Sequence, residues 1–212
     1  MTNTTQNQEL PISKKQHREA LSGILIAFFA ALMALSQMLS NNLEEKMMIA
    51  HNKMASYSNW YQSKSIKQIL KEGERDYLST LLSTKMITDE NQPEILNKLN
   101  NTKDLIIKYE AEKTELFVGS KNVPRSYWAQ DLNGEMGKII GVREWESITD
   151  QYEKATQKFD LGMLFFQISI VLGAIGIMLH RNPIMQNMFI LLVIICGLLG
   201  AVIALYGYSL AP

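Results

Sequence analysis

The chain has 212 residues with 21 basic and 21 acidic side chains, so neither a basic nucleic-acid-binding protein nor an acidic tail is indicated. Its apolar residues are gathered in three blocks around a polar middle, which is typical of a membrane protein. Cys196 is the single cysteine and lies within one of these blocks, so no intrachain disulfide can form. We therefore expect membrane lipid as a partner and no nucleic-acid partner.

Three uncharged stretches are long enough to cross a hydrocarbon core of about 30 Å. These predicted transmembrane helices lie at residues 20–39, 161–179 and 188–208. A polar tail at residues 1–19 precedes the first, and a short turn at residues 180–187 joins the last two. Ala34-Leu35-Ser36 resembles a signal-peptide cleavage site, but the apolar run is longer than usual for one. We interpret the first span as an uncleaved anchor.

Positive charges in short segments indicate an orientation. Lys14, Lys15 and Arg18 in the tail lie on the same side of the predicted spans as His180-Arg181 in the turn. Short segments rich in Lys and Arg usually face the cytoplasm. We therefore expect a cytoplasmic N-terminus, with the polar middle at residues 40–160 on the periplasmic or extracellular side.

The polar middle has the apolar periodicity of packed helices. After the first span, apolar residues alternate in spacings of four and three, at Leu43, Met47, Ala50, Met54, Tyr57 and Tyr61. No Pro or Gly interrupts this stretch before Gly73, so we expect one helix to continue out of the bilayer. We predict a shift in register, after which the apolar seam resumes at Ile66, Leu70, Tyr77 and Leu81.

Two further helices are predicted in the polar middle. Turn-forming residues 88–93 end with Pro93, which suits the first turn of a helix, and helical spacing of apolar residues then extends to Leu116. A third stretch, from Trp145 to Phe159, keeps this spacing and runs into the second span. The predicted fold is an all-α membrane protein with three transmembrane helices and a long extramembrane helical hairpin, a coiled-coil-like stalk, between spans 1 and 2.

An irregular segment at residues 119–142 interrupts the predicted stalk. It contains Pro124 and four glycines, and it exceeds ordinary connection lengths. It also carries Tyr127, Trp128 and other large apolar side chains, too many for a plain linker. Three interpretations stay open: the segment packs against the stalk, contacts a partner, or is disordered.

The stretch WYQSK, residues 60–64, lies where the first apolar seam stops. Trp60 would stand about 30 Å beyond the first span, too far for a lipid anchor. In one interpretation the aromatic side chains fill the stalk core while the neighbouring lysines, Lys64 among them, form a solvated face. In the other, this region is a docking site or a point where copies meet. The candidate interaction surface comprises Trp60, Tyr61, Lys64, Lys67 and Trp128.

SNWYQSKSIKQ in the stalk and FDLGMLFFQISIVLGAIGIM at the second span, followed by an apolar hairpin, resemble the bacterial membrane family named domain of unknown function 4337. The matching positions are Trp60, Tyr61, Gln62, Lys64, Ser65, Ile66, Lys67, Phe159, Asp160, Leu161, Gln167, Ile168, Ile170, Val171 and Leu172. The resemblance covers most of the chain and departs at residues 119–141. It implies a bacterial inner-membrane protein and supplies no catalytic residues.

Residues with catalytic or metal-binding spacing are not evident in the sequence. His17, His51 and His180 are far apart and match no metal-ligand motif. GEMGK at residues 134–138 has two residues between its glycines where a phosphate loop needs four. We therefore expect no enzyme activity, no metal and no cofactor.

Pairs of small residues four positions apart indicate close helix packing in lipid. The candidate packing residues are Gly23, Ala27, Ser169, Gly173, Gly197 and Ala201. This spacing does not distinguish packing within one chain from packing between copies. No charged residue lies in the spans, which disfavours proton relays and coupled transporters.

The leading hypothesis is a non-enzymatic, membrane-anchored helical scaffold or partner-docking protein. It would form a homo-oligomer and bind a protein partner through the stalk. The alternative is a channel, or a channel subunit, in which several copies surround a pore lined by Gln37, Gln167 and Ser169.

Overall fold

The structure, a computed structural model, describes residues 14–84, 88–131, 134–179 and 182–212. His180 and Arg181, on which the predicted orientation partly relies, lie outside the described residues, as does most of the polar tail. The first helix, α1, runs without interruption from Lys14 to Ser83. It contains the first predicted span and Gly73, which confirms that one helix continues beyond the apolar stretch.

The second helix, α2, extends from Gln92 to Val118, with Pro93 in its first turn as predicted. It lies antiparallel to the second half of α1: residues later in α1 contact residues earlier in α2. This order is shown by the pairs Tyr61 with Phe117, Lys64 with Glu112 and Glu74 with Lys98.

Residues 119–141, here called the cap segment, follow α2. Their described part contains two single turns of 3-10 helix, Ser120–Asn122 and Arg125–Tyr127. An isolated antiparallel bridge joins Gln130 to Met136. Ala129 and Ile139 of the cap segment are buried in one cluster with Leu116 of α2, and Tyr57, Trp60 and Tyr61 of α1 pack against it. Of the three interpretations of this segment, the described residues adopt the packed one.

The third helix, α3, runs from Val142 to Met178, and the fourth, α4, from Pro183 to Leu210. As predicted, α3 joins the third polar stretch to the second span without a break. Asn182 caps α4, because its side-chain oxygen accepts a hydrogen bond from the Ile184 amide at 3.2 Å. Among the residues that the structure describes, three helices, α1, α3 and α4, are long and apolar enough to span a membrane.

The chain divides into two compact units. The apolar unit combines residues 1–45 with 151–212, and the polar unit consists of residues 46–150. Both boundaries fall inside continuous helices, α1 and α3.

The apolar unit buries small and polar residues together with a few large apolar ones such as Phe159 and Phe166, and it exposes many large apolar residues. Glycines are buried where its helices meet, and the hydroxyls of Ser40 and Ser169 are buried with them. Phe28, Leu198 and Leu205, in contrast, are more than half exposed. This distribution is expected of helices that pack through small residues while their outer surface faces lipid.

The predicted register shift in α1 is wrong. The seam that faces α2 keeps its spacing of four and three beyond Tyr61, at Lys64, Gln68, Lys71, Arg75 and Leu78. These positions are buried or half-buried, whereas Ile66, Leu70 and Tyr77 are exposed. The observed seam differs from the predicted one because polar pairs replace apolar contacts. The Lys113 ammonium, for example, donates to the Gln68 side-chain oxygen at 2.9 Å, so Gln68 packs in the seam without an apolar side chain.

Candidate functional site

A cavity of about 450 Å³ opens in the polar unit between α1, α2 and the cap segment. Small-molecule sites typically have volumes of roughly 300–1,000 Å³. Each of the three elements contributes side chains to the lining, among them Trp60, Lys64, Lys108, Glu112, Trp128 and Met136. The wall therefore combines two indole rings and a thioether with two ammonium groups and one carboxylate.

Lys64 and Glu112 join α1 to α2 at the cavity wall, with 2.5 Å between Nζ and Oε2. Their side chains are only 16% and 11% exposed, so the ion pair is largely shielded from water. The Lys64 ammonium also lies 5.5 Å from the centre of the Tyr109 ring, a cation–π distance. Lys108 approaches the other carboxylate oxygen of Glu112 to 3.9 Å from an exposed position.

A fully buried carboxylate, that of Glu115, holds the cap segment on α2. Its Oε1 accepts a hydrogen bond from the Ser120 hydroxyl at 2.6 Å, and its Oε2 accepts one from the Ala129 amide at 2.5 Å. The Ser120 hydroxyl oxygen accepts in turn from the Ile139 amide at 2.9 Å. The two bonds to the carboxylate and the one to Ser120 fix three separate points of the cap segment, and thereby the position of Trp128 beside them.

The Trp128 ring is held in one orientation. Its indole N–H donates to the Ser120 carbonyl at 3.1 Å, and the Arg125 guanidinium lies 5.6 Å from the ring centre. Gly137, at φ +75°, lies against the ring, where any side chain would collide with it. Trp128 is thus a preorganised wall of the cavity.

Tyr57 lies on α1 beside the cap segment. Its ring centre is 6.1 Å from that of Trp60, in a tilted arrangement. Burial and, to a smaller extent, the negative charge of Asp131 raise the pKa of Tyr57 above its usual value near 10. The folded protein therefore favours the neutral phenol at this position.

An exposed apolar stripe on α1 is the second feature of the polar unit. It consists of Ile66, Ile69, Leu70 and Tyr77, each of which is more than half exposed. At about 100° per residue these side chains fall within an arc of about 100°, with Gly73 at its middle. A Cβ added at Gly73 would meet nothing within 4 Å. Contiguous exposed apolar surface of this kind marks interaction sites.

A family profile matches residues 18–210, a range that includes the polar unit with its cavity and stripe and most of the apolar unit. The chain belongs to the DUF4337 family. DUF4337 is described as a domain of unknown function. The match confirms the resemblance carried by SNWYQSKSIKQ and the second span, and it extends through the cap segment, where the resemblance departs. No curated protein and no solved structure matches the chain.

Of the five residues predicted as an interaction surface of this DUF4337 chain, Trp60, Lys64 and Trp128 meet at the cavity. Tyr61 packs against Phe117 instead, with 5.8 Å between ring centres. Lys67 is exposed next to the stripe. The prediction that Lys64 belongs to a solvated face is wrong, because Lys64 is half-buried in its ion pair with α2.

Three residues of the site, Lys108, Glu112 and Glu115, are not among those predicted from the sequence. A signal exists for Glu112, which lies at helical spacing between Tyr109 and Leu116 in the apolar pattern of α2. A lysine and a glutamate that interrupt the seams of two packed helices indicate an ion pair between them. Glu115 has no comparable signal, because its partners lie in a segment without periodicity.

The predicted packing residues of this DUF4337 chain lie in three different environments. Ser169, Gly173 and Gly197 are buried within the chain. The Ser169 hydroxyl donates to the Val193 carbonyl at 2.8 Å. Gly23 and Ala27 are exposed, so they lie on the face of α1 that is turned away from its contacts with α3 and α4 through Ile26 and Phe29. Ala201 packs at the edge of a buried cluster that includes Phe29, Phe166 and Val193.

The three predicted pore-lining residues have different environments. Gln37 and Gln167 are exposed on the apolar unit, and Gln37 donates to the Asn41 side chain at 2.8 Å. Ser169 is fully buried between α3 and α4. Within one chain, the three therefore do not line a common surface.

Proposed function

We propose that this DUF4337 chain is a non-enzymatic, membrane-anchored helical scaffold that self-associates through its polar unit. The main support for this proposal is the exposed apolar stripe on α1. Burying one large apolar side chain fully is worth about 1.5–3 kcal/mol, so the four exposed side chains favour association with another surface.

The stripe suits a second copy of the same chain. Its side chains repeat at helical spacing, which allows two such helices to pack along one seam. Gly73 at its centre permits close approach of another helix. By helical geometry Lys67 flanks one edge of the stripe and Asp76 the other, so side chains of both charge signs border a homotypic contact.

Native mass measurement on the protein in lipid nanodiscs tests this proposal. Ile69 and Ile107 provide a matched pair, since each is an isoleucine that is 65% exposed, one in the stripe and one on α2. We expect an oligomer for the wild type and Ile107→Lys, and a monomer for Ile69→Lys. A wild-type monomer, or equal loss of the oligomer in both variants, would refute self-association through the stripe.

We further propose that the protein lies in a bacterial inner membrane with its N-terminus cytoplasmic. Residues 40–160 would form an extramembrane coiled-coil-like hairpin stalk on the periplasmic side. Support comes from the basic residues before the first span and from the three long apolar helices. With Cys196→Ser as background, Glu90→Cys should react with a membrane-impermeant maleimide in intact spheroplasts. Reaction only after the membrane is broken would reverse the orientation.

The alternative proposal is an oligomeric channel. Two of its three residues support it, because Gln37 and Gln167 are exposed and can face a pore between copies. The third does not, because the Ser169 hydroxyl bonds within the chain. Solute flux or conductance in reconstituted liposomes, reduced by Gln167→Leu, would support this alternative. Absence of flux over a range of voltage and membrane tension would remove it.

A further inference from the structure

The cavity beneath the cap segment combines an aromatic wall with excess positive charge. Its charged lining groups are the ammonium groups of Lys64 and Lys108 and the carboxylate of Glu112. Because Glu112 is already paired with Lys64, the second ammonium is only partly compensated, at 3.9 Å from the same carboxylate. An anionic group entering the cavity would complete the pairing of Lys108.

Apart from Gln130, the remaining lining side chains are apolar, and the two tryptophans among them are held in place. Trp128 is fixed by its hydrogen bond to Ser120 and by Gly137 against its ring, and Trp60 is supported by Tyr57. Rigid aromatic walls bind apolar groups with little loss of side-chain freedom. In the described chain, no group of three or more His, Cys, Asp or Glu side chains is placed to hold a metal ion, and the lining has a single carboxylate.

We propose that this cavity is a binding site for a small organic carboxylate with an aromatic or long aliphatic body. The apolar body lies between Trp60 and Trp128, and the carboxylate pairs with Lys108 at the exposed mouth. The site is formed within one polar unit, and its lining includes none of the stripe residues. Binding is therefore independent of self-association, and either proposal can fail alone.

Isothermal titration of the full chain in lipid nanodiscs tests the site, with empty nanodiscs titrated to subtract partition into lipid. The probes are phenylacetate, 4-phenylbutyrate and decanoate, each compared with its uncharged amide. We expect saturable binding of at least one carboxylate. The affinity for its amide should be about tenfold lower, because the amide cannot form the charged pair with Lys108. Tryptophan fluorescence should change on binding, and Trp145, which lies outside the cavity, is retained in all variants.

Two variants of cavity residues, with one control variant, distinguish binding at this site from non-specific binding. Lys108→Gln, at an exposed position, should remove the preference for carboxylate over amide, whereas Lys103→Gln on the same helix should keep it. Gln130→Glu at the cavity lining should weaken carboxylate binding about tenfold through like-charge repulsion and leave the amide unaffected. Saturable binding of none of the carboxylates, equal affinity for both members of each pair, or a carboxylate preference that survives Lys108→Gln would overturn the proposal.

Discussion

Lys64 of α1 and Glu112 of α2 pair at 2.5 Å in a place where a helix seam ordinarily holds apolar side chains. The pair keeps the seam in phase and leaves Ile66, Leu70 and Tyr77 on the opposite, exposed side of α1. The presence of this ion pair at seam positions therefore accounts for two features of the polar unit: the charged wall of the cavity and the exposed apolar stripe.

Removing one partner of this ion pair should destabilise the polar unit. Lys64→Met strands the Glu112 carboxylate in a largely shielded position, with only Lys108 nearby, and should cost about 2 kcal/mol of unfolding free energy. Lys64→Met combined with Glu112→Leu should recover most of the loss, because no unpaired charge then remains. Urea titration followed by circular dichroism measures both.

The control for that experiment is Lys138→Met, which removes the exposed ion pair with Glu135 and should leave stability unchanged. An equal loss in Lys64→Met and in the double variant would contradict the view that a stranded carboxylate causes the destabilisation.

The buried Glu115 should control how firmly the cap segment is held. In Glu115→Gln, the side chain keeps its shape, but the amide group places a donor against the Ser120 hydroxyl or the Ala129 amide. We expect a loss of about 1–3 kcal/mol and faster amide hydrogen exchange at Ala129 and Ile139. Glu110→Gln, at an exposed position of the same helix, should change neither, and unchanged exchange in Glu115→Gln would show that other contacts hold the segment.

The long helices were predictable because α1 and α3 keep helical apolar spacing across the ends of the predicted spans without an intervening proline. Trp60, Lys64 and Trp128 were also recognisable as candidates, since large aromatics beside charge stand out in a polar region. The phase of the seam was not predictable by counting apolar residues, because Lys64 and Gln68 occupy it through polar partners on α2. The Glu115 network depends on contacts between segments distant in sequence, which no local pattern encodes.

Close packing of α1 on α4 should make Gly197 sensitive to substitution. A methyl group there would collide with the Phe29 ring, so Gly197→Ala should cost about 1–3 kcal/mol. Gly23→Ala is the matched control, because a Cβ at Gly23 meets nothing within 4 Å and alanine favours helix. Melting temperatures in detergent compare the two, and equal effects would contradict the packing of Gly197 on Phe29.

The raised pKa of Tyr57 predicts a loss of stability in alkali. Because burial raises the pKa in the folded state, the Tyr57 contribution is fully present below the unfolded value near 10 and is lost as pH rises through the folded value. Tyr57→Phe removes this titration, so the difference in unfolding free energy between wild type and Tyr57→Phe should shift in favour of the variant above about pH 10. A difference that stays constant with pH would show that Tyr57 titrates alike in both states.

Self-association through the stripe is tested most directly by disulfide cross-linking in native membranes. With Cys196→Ser as background, single cysteines are placed in turn at positions 64–78 of α1 and oxidised. We expect cross-linked dimers with helical periodicity, strongest at Ile66, Ile69, Leu70, Gly73 and Tyr77 and weak at the seam positions Gln68, Lys71 and Arg75. Uniform cross-linking, none at any position, or maxima at the seam positions would contradict it.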